Sequence, residues 1–503
     1  MDLVIHLDSS STTPLYQQLT AKIRSGVLTG RLKPKQKLPS SRNLAKSLAI
    51  SRFTVTQSYE QLESEGYLET RRGSGTYICH RLPDEWLNAK PVEMENKIVD
   101  REPTLSQFGK SLTAIDRLAI SEPNLEISFR YGNPATDRFP IQKWRKLLNR
   151  YCDRSSALLE YTADAAGYFP LRVEIANYLQ RSRAVCCTPE QIIVVNGSQQ
   201  ALDIVARLTI NPGDWVAVEN PGYLGARYCF LGQSANLEPI PVNSTGLDVE
   251  FLKKCDRDFK LIYVTPSHQF PTGVTLGLRQ RIALLQWAKN TDTLIIEDDY
   301  DSEYRYEQRP IPALQGMDKN QSVIYIGTFS KTMFPSLRIG YLVVPPSWIK
   351  IISKAKWLCD RSVPLLEQYA LTDWIGEGDF ERHIRKMRQL YNLRRQALIT
   401  AFNKYFCDRP SPAKADRATI LGANAGIHVM VKIETGLSDR AVIEKAAAVG
   451  IGIISAREYY LSSPSQGEFI FGYAQLEEEL IEKGIYILSQ VLCDRPLSAL
   501  RDR

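Results

Sequence analysis

The strongest constraint on the fold is a set of short apolar runs between residues 191 and 344 that alternate with stretches of helical periodicity. The runs are apolar on both faces, so each strand that they predict needs cover on two sides. Strands of this kind joined by helices form a doubly wound α/β sheet in which most strands are parallel. The predicted strands are 191–195, 214–218, 261–264, 293–296, 323–326 and 340–344.

Chemically distinctive residues follow two of these strands, at the edge where doubly wound sheets bind ligands. The first strand leads through Gly197 into Ser198 and Gln199 ahead of a helix, where backbone amides favour an anion such as phosphate. The fourth leads into Asp298 and Tyr300, where a carboxylate can pair with a protonated ring nitrogen. Taken alone, either feature is equally typical of a helix cap.

The fifth strand leads into a third group, which contains Thr328, Lys331 and Arg338. A lysine deep in a crevice loses its proton by desolvation and becomes an amine that can form an imine. Most lysines are simply solvated, so Lys331 alone does not predict a catalytic site. Together, the groups after the first, fourth and fifth strands indicate one site, for a ligand that has both an anionic group and a nitrogen-containing ring.

Composition places the chain among globular proteins and excludes several classes. Its 503 residues correspond to about three folding units, with 44% hydrophobic and 24% charged residues. No apolar run approaches the roughly 18 to 20 residues that span a bilayer, and the opening residues lack a signal peptide, so we expect a cytoplasmic protein. The 9 cysteines are scattered without a Cys-x-x-Cys pair, and we expect neither disulfides nor a metal site.

Most of the positive charge lies in the first 80 residues. They hold 11 Lys and Arg against 6 Asp and Glu, which accounts for +5 of the net charge of +7. A compact basic segment on a nearly neutral body indicates an anionic partner for that segment, although a solvated basic face is an equal alternative from charge alone.

This basic segment is predicted to form three short helices and a hairpin. The first helix spans about 14–28, the second follows the capping hydroxyl of Ser40, and the third follows Ser51. Two strands, 67–70 and 76–78, flank a basic turn. This is the layout of a winged helix-turn-helix, in which one helix enters the major groove and the wing touches the DNA backbone.

Residues 14–78 also resemble the GntR-type DNA-binding domain. The matching stretches are Pro-Leu-Tyr-Gln-Gln-Leu from 14, Leu-Pro-Ser-Ser-Arg from 38, Ser-Arg-Phe-Thr-Val from 51, Glu-Gly-Tyr-Leu-Glu from 65 and Arg-Arg-Gly-Ser-Gly-Thr from 71. The resemblance implies a double-stranded DNA operator as the partner. The implied contact residues are Arg42, Ser51, Arg52 and Thr54 in the helices and Arg71 and Gly75 in the wing. Each could contact a phosphate instead of a base, and Arg52 is the best candidate for base readout.

We predict a DNA-binding domain over 1–79, a linker over 80–125 and a larger α/β domain over 126–503, in which a small subdomain begins at about 360. Prolines interrupt every candidate helix of the linker, and a structureless loop of this length is rare inside one compact domain. Its 105–120 stretch can still dock on a neighbouring surface. In the small subdomain, His428 lies in a predicted strand and is most simply a core histidine.

The three groups at the sheet edge resemble the pyridoxal phosphate site of fold-type I aminotransferases, in which the lysine follows the aspartate by 33 positions and precedes the arginine by 7, as here. The resemblance implies that pyridoxal 5'-phosphate is the cofactor and that Lys331 is the catalytic residue, which holds it as a Schiff base. Asp298 would pair with the ring nitrogen, Tyr300 would contact the phenolic oxygen and Tyr223 would stack on the ring. The implied phosphate ligands are Ser198, Gln199, Thr328 and Arg338.

The chain as a whole is similar to the MocR-type regulators, the GntR subgroup that fuses a winged helix to an aminotransferase-like domain. Residues 267–273, Ser-His-Gln-Phe-Pro-Thr-Gly, and 297–306, Glu-Asp-Asp-Tyr-Asp-Ser-Glu-Tyr-Arg-Tyr, are especially close. The resemblance implies a DNA-binding transcriptional regulator that senses pyridoxal phosphate, or an amine or amino acid through it, and that forms a head-to-tail homodimer.

Two departures from the aminotransferase pattern bear on catalysis. Phe270 stands where the enzymes have an asparagine, and Ile470 stands where they have the arginine that binds the substrate carboxylate. Arg457 or Arg227 are candidates to replace that arginine. We therefore expect a sensor and not a physiological enzyme, although an aminotransferase-type half-reaction stays possible. The alternative is an aminotransferase that carries a DNA-binding domain; a lyase or decarboxylase of the same fold has no positive motif.

Overall fold

The computed structural model describes residues 5–71, 73–80, 103–115, 125–152, 160–306, 311–361, 364–407 and 418–492, apart from 9, 114, 161–163 and 463. The chain divides into two compact units, Met1–Pro103 and Thr104–Arg503. Most of the predicted linker, including Arg101 and the stretch before it, lies outside the described residues. Among the described helices, none has the length and apolar character needed to cross a membrane.

The first unit is a winged helix-turn-helix, as predicted. Its helices and strands are α1 (Leu15–Leu28), α2 (Ser41–Leu48), α3 (Arg52–Ser64), β1 (Leu68–Arg71) and β2 (Gly75–Ile78). The side chains of Ser40 and Ser51 accept hydrogen bonds from the amides of Asn43 and Thr54, so both predicted caps are present. Strands β1 and β2 pair antiparallel, and the three helices enclose a small apolar core.

The second unit is built on an eight-stranded mixed sheet, which confirms the predicted α/β class. Its strands are β4 (Ile192–Val195), β5 (Trp215–Asn220), β6 (Asn236–Asn243), β7 (Gly246–Leu247), β8 (Phe259–Val264), β9 (Leu294–Asp299), β10 (Val323–Thr328) and β11 (Gly340–Val343). Their spatial order is β4-β11-β10-β9-β8-β5-β6-β7. Strands β10, β9, β8, β5 and β6 run parallel, whereas β11 is antiparallel to both of its neighbours.

Alternate residues of these strands enter different apolar cores, which is why the strand sequences are apolar throughout. Val216 and Val218 of β5 pack into one core, and Ala217 between them packs into another on the opposite face. The helices of this unit are α4 (Gln107–Thr113), α5 (Ile141–Cys152), α6 (Phe169–Arg183), α7 (Ser198–Thr209), α8 (Leu224–Gly232), α9 (Val249–Lys254), α10 (Leu278–Thr291), α11 (Leu314–Met317), α12 (Ile349–Asp360), α13 (Leu365–Gly376), α14 (Asp379–Phe402), α15 (Asp439–Ala448) and α16 (Glu478–Leu492).

A smaller antiparallel sheet lies in the C-terminal part of the second unit. It contains β12 (Ala418–Leu421), β13 (His428–Ile433), β15 (Ile454–Ser455) and β16 (Glu468–Gly472), while β14 (Ile451–Gly452) pairs with β3 (Ile127–Ser128). The basic residues of α14 do not form one solvated face. Arg394 and Arg395 are buried and donate to the backbone carbonyls of Ala474 and Ala423.

Helix α4 docks on the large sheet domain within the second unit. The hydroxyls of Ser111 and Ser234 lie 2.8 Å apart, and the Arg207 guanidinium lies 5.9 Å from the centroid of the Phe108 ring. This part of the predicted linker therefore packs against a neighbouring surface, which was one of the two possibilities left by its sequence.

Candidate functional site

A cavity of about 160 Å³, partly open to solvent, lies where the carboxyl ends of β9 and β10 meet the N-terminus of α7. All eight residues predicted to hold the cofactor line it, although they come from separate parts of the chain. The fold achieves this because parallel strands end at one edge of the sheet and helix α7 begins there. The wall also includes residues that the sequence did not single out, among them Tyr131, Gly132, Tyr263 and Ser330.

One end of the cavity has the donors that an anion requires. Gly197, with φ +81°, precedes α7, so the amides of Ser198 and Gln199 belong to the first turn and lack partners inside the helix. The Arg338 guanidinium donates to the Asn196 carbonyl at 2.9 Å and lies across Gly197. A Cβ at Gly197 would approach Arg338 Nη2 to 3.1 Å, so the glycine leaves the space that the guanidinium occupies.

The side chains at this anion end differ in their present contacts. The Gln199 amide donates to the Gly225 carbonyl and to Cys229 Sγ, which leaves its backbone N–H as the donor for an anion. Ser330 Oγ is buried and has no hydrogen-bond partner within the described structure. Ser330 was missed from the sequence, although its position directly before Lys331 was a usable signal.

Asp298 is the only residue of the predicted set with an unpaired buried carboxylate oxygen in the described structure. Its Oδ2 accepts a hydrogen bond from the Tyr263 hydroxyl at 2.7 Å, and its Oδ1 has no partner. Burial raises the pKa of the Asp298 carboxyl to about 7, against a partial lowering by the Tyr263 hydrogen bond. The site thus has room for one N–H donor on Asp298, such as a protonated ring nitrogen.

Lys331 is largely buried and its ammonium donates to the Gly132 carbonyl at 2.6 Å. Burial lowers the pKa of Lys331 below its ordinary value, while Asp301 and Asp298 partly oppose that shift. A lysine in this setting becomes a neutral amine more readily than an exposed one, as an imine-forming group requires.

Aromatic rings enclose the remaining space. Tyr223 packs edge-on to Phe270 with ring centroids 5.9 Å apart, and Tyr300 stacks with His428 at 6.5 Å. His428 is buried, as predicted, and it also lines the cavity, where its Nε2 donates to the Pro271 carbonyl at 3.2 Å. Burial lowers its pKa well below 6.5, and it is a neutral group of the cavity wall.

The two departures from the enzyme pattern are both buried apolar side chains. Phe270 is 5% exposed and lines the cavity, and Ile470 is fully buried and packs in the same apolar cluster. Neither Arg457 nor Arg227 lines the described part of the cavity; Arg457 is exposed, and Arg227 donates to the Glu458 carbonyl at 3.2 Å. Among the described lining residues, the cations are Lys331 and Arg338.

The predicted DNA-contact residues lie on the exposed surface of the first unit. Arg52 is exposed at the start of α3 and donates to Ser41 Oγ, and the next residue, Phe53, is 74% exposed. In the wing, Arg71 lies over the Tyr77 ring, and Gly75 has φ +114°. The other predicted contacts are Arg42, Ser51 and Thr54, of which Ser51 and Thr54 are joined at the cap of α3. An exposed phenylalanine on this helix was not singled out from the sequence.

Comparison with known proteins agrees with both units. Residues 15–78 match the family of bacterial regulatory proteins of the gntR family, and residues 126–487 match aminotransferase class I and II. The chain is 38% identical to the probable rhizopine catabolism regulatory protein MocR of Rhizobium meliloti over 95% of this chain and 94% of that one. It is 30% identical to the pyridoxine biosynthesis transcriptional regulator PdxR of Corynebacterium glutamicum over 97% and 98%.

Among solved structures, the kynurenine aminotransferase of Pyrococcus horikoshii is similar to the second unit. The two chains are 27% identical with a TM-score of 0.67, and the match covers 78% of this chain and 95% of that one. That structure is described as a complex with the pyridoxamine form of the cofactor and with kynurenine.

Proposed function

The chain belongs to the MocR-type regulators of the GntR family, which bind DNA and pyridoxal 5'-phosphate, and from this premise we propose that it senses pyridoxal phosphate or a small amine through the amine of Lys331. The observation that carries the proposal is the unpaired Oδ1 of Asp298 in a cavity that also contains Lys331, a lysine whose pKa is lowered by burial. Pyridoxal phosphate, when bound, supplies an aldehyde that forms a carbon–nitrogen double bond with an amine.

The residues of the cavity fit this cofactor at each of its polar groups. Asp298 Oδ1 would accept from the ring nitrogen, and the negative charge of the carboxylate, which burial disfavours when it is alone, would stabilise the protonated form of that nitrogen. The amides of Ser198 and Gln199, the hydroxyls of Thr328 and Ser330 and the Arg338 guanidinium would hold the phosphate. Tyr223 would pack on the ring, and Tyr300 would contact its phenolic oxygen.

Lys331 would provide the amine that an effector displaces. Its burial lowers the pKa of the ammonium, which makes the neutral amine easier to form than on an exposed lysine. Gly132, whose carbonyl now accepts from Nζ, would lose that contact when the amine reacts. The nitrogen of the effector would therefore replace the nitrogen of Lys331. The resulting change in the contacts of Lys331 would bias the regulator between two states.

We infer that the unit forms a homodimer through helix α12 and its surroundings. Leu358 is 78% exposed and Trp357 is 49% exposed on this helix, and an apolar patch of this kind indicates a protein interface. A two-fold axis that passes close to α12 would bring this helix of one copy into contact with the same helix of the other.

The test is to measure DNA affinity of the full chain with and without candidate effectors. A duplex selected by the protein from a random pool serves as the probe, and the loaded protein is titrated with a panel of amines and amino acids while fluorescence anisotropy reports DNA binding. At least one amine should change the affinity of the wild type, and Lys331→Ala should abolish that response. An unchanged response in Lys331→Ala would contradict the proposal, and repeated turnover with a keto acid would favour the aminotransferase alternative.

A further inference from the structure

A buried histidine and carboxylate lie directly behind Tyr300. His268 Nδ1 is 3.0 Å from both oxygens of Asp301 and 3.0 Å from the Tyr300 hydroxyl. The His268 and Asp301 side chains are 1% and 0% exposed. Neither has a role in the predicted site, so the group needs a separate explanation.

The donor and acceptor roles in this group depend on which imidazole nitrogen carries the proton, and we assign that proton from the surroundings of Nε2. His268 Nε2 is buried and has no partner in the described structure, so a proton there would be an unpaired buried donor. The proton of the imidazole therefore lies on Nδ1, where both the Asp301 carboxylate and the Tyr300 oxygen accept from it. Tyr300 consequently uses its oxygen toward His268, and its own hydroxyl proton is available to the cavity that it lines.

The backbone leaves a dedicated space for this imidazole. Gly426, with φ +76°, packs so closely that a Cβ would come within 2.0 Å of His268 Cε1. Gly273, with φ +71°, would place a Cβ 3.0 Å from His268 Nε2. On its other side the ring of the neutral His428 lies 4.9 Å away, centroid to centroid. The imidazole is held in one orientation, which a positioning role requires.

We propose that His268 and Asp301 are positioning residues that fix Tyr300 as a hydrogen-bond donor to the phenolic oxygen of pyridoxal phosphate. The inference rests on the proposed cofactor site, in which Tyr300 meets that oxygen. Phe270, the ring that replaces the asparagine of the enzymes, has no polar atom to share this contact. The Tyr300 hydroxyl must then be positioned accurately, and its hydrogen bond to the buried His268, which is itself paired with Asp301, fixes its position.

The experiment compares two substitutions that differ only in where they place a donor. Asn at position 268 presents an N–H near the position of Nδ1, whereas Gln presents one near Nε2. The full chain is loaded with pyridoxal phosphate, and the pH midpoint of its visible absorption band is measured for the wild type, His268→Asn, His268→Gln and Asp301→Asn. Tyr460→Phe is the matched control, since this half-buried tyrosine donates to Glu468 and does not line the cavity.

A donor on the phenolic oxygen stabilises its negative charge and makes the proton of the neighbouring lysine-derived nitrogen easier to remove. We expect His268→Gln to raise the midpoint by about one pH unit, the size of one lost hydrogen bond to a charged oxygen. Asp301→Asn should raise it by less, because it also removes a negative charge that keeps the pKa of the Lys331 nitrogen up. His268→Asn should stay within a few tenths of the wild type, as should Tyr460→Phe.

Tyr300→Phe separates the failure of this inference from that of the cofactor site. It should raise the midpoint at least as much as His268→Gln. If Tyr300→Phe raises the midpoint but His268→Gln and Asp301→Asn leave it unchanged, the positioning role is wrong while the cofactor site stands. If Tyr300→Phe also has no effect, the placement of Tyr300 at the phenolic oxygen fails, and if no band forms in the wild type the cofactor site itself fails.

Discussion

Replacement of Asp298 by asparagine should make the cofactor-free protein more stable while it weakens cofactor binding. In the folded protein, burial raises the pKa of this carboxyl from 3.8 to about 7. The folded state therefore binds the proton more tightly than the unfolded state, so this group contributes most to stability below about pH 4, and the contribution is lost as pH rises to about 7. At 1.36 kcal/mol per pH unit, the loss amounts to about 4 kcal/mol above pH 7.

The measurement is chemical denaturation of cofactor-free wild type and Asp298→Asn at several pH values between 4 and 8.5. Tryptophan fluorescence reports mainly on the second unit, because six of the seven tryptophans lie between residues 144 and 374. Other buried acids whose raised pKa does not depend on Asp298, such as Glu303, are common to both proteins and cancel in the difference. The free energy of unfolding of the variant should exceed that of the wild type by a margin that grows between pH 4 and 7.

A difference in the free energy of unfolding that does not change with pH would refute the argument. It would mean that the folded protein does not disfavour the ionised form of the Asp298 carboxyl. The same substitution should weaken cofactor binding although it stabilises the cofactor-free protein. The asparagine cannot hold a positive charge on the ring nitrogen, so Asp298→Asn should release pyridoxal phosphate more readily on dialysis than the wild type.

Three further substitutions test other parts of the molecule. Gly197→Ala should reduce cofactor retention in equilibrium dialysis, because φ +81° costs about 1 kcal/mol for an L side chain and the new Cβ presses on Arg338. Phe53→Ala should weaken binding to a selected duplex by roughly tenfold, because an exposed ring on α3 can contact a thymine methyl group, while Leu28→Ala, at an exposed leucine of the same unit, should not. Leu358→Glu should shift the protein toward monomer in sedimentation velocity if α12 forms the dimer surface.

Periodicity and capping predicted the fold well because both act over a few residues. The apolar runs became strands β4, β5, β8, β9, β10 and β11, each within a few residues of its predicted limits. Strand β6 was missed because Pro239 and Pro241 interrupt its pattern. Strand β6 pairs with β5, which lies about 20 residues earlier in the chain, and a local sequence pattern does not predict such a pairing.

The eight residues that line the cavity together could be named from the sequence because their spacing matches a known family, but the groups that support them could not. His268 and Asp301 are 33 positions apart, and they meet only because the loops after β8 and β9 end at the same edge of the sheet. His428 arrives from the small antiparallel sheet, so its alternating strand pattern indicated burial without indicating what it faces. Contacts of this kind depend on the packing of distant elements.

A sensor and an aminotransferase make different demands on the same cavity. Turnover requires groups that stabilise a transition state more than the bound ligand, and it requires the substrate carboxylate to be held while the proton moves. Sensing requires only an equilibrium between two bound forms. In the described cavity the groups for that equilibrium are present, namely Lys331 and Asp298, whereas Ile470 provides no charge for a carboxylate. With Lys331 and Asp298 present and Ile470 at the position of the carboxylate-binding arginine, we expect this cavity to bind an amine reversibly and not to convert it repeatedly.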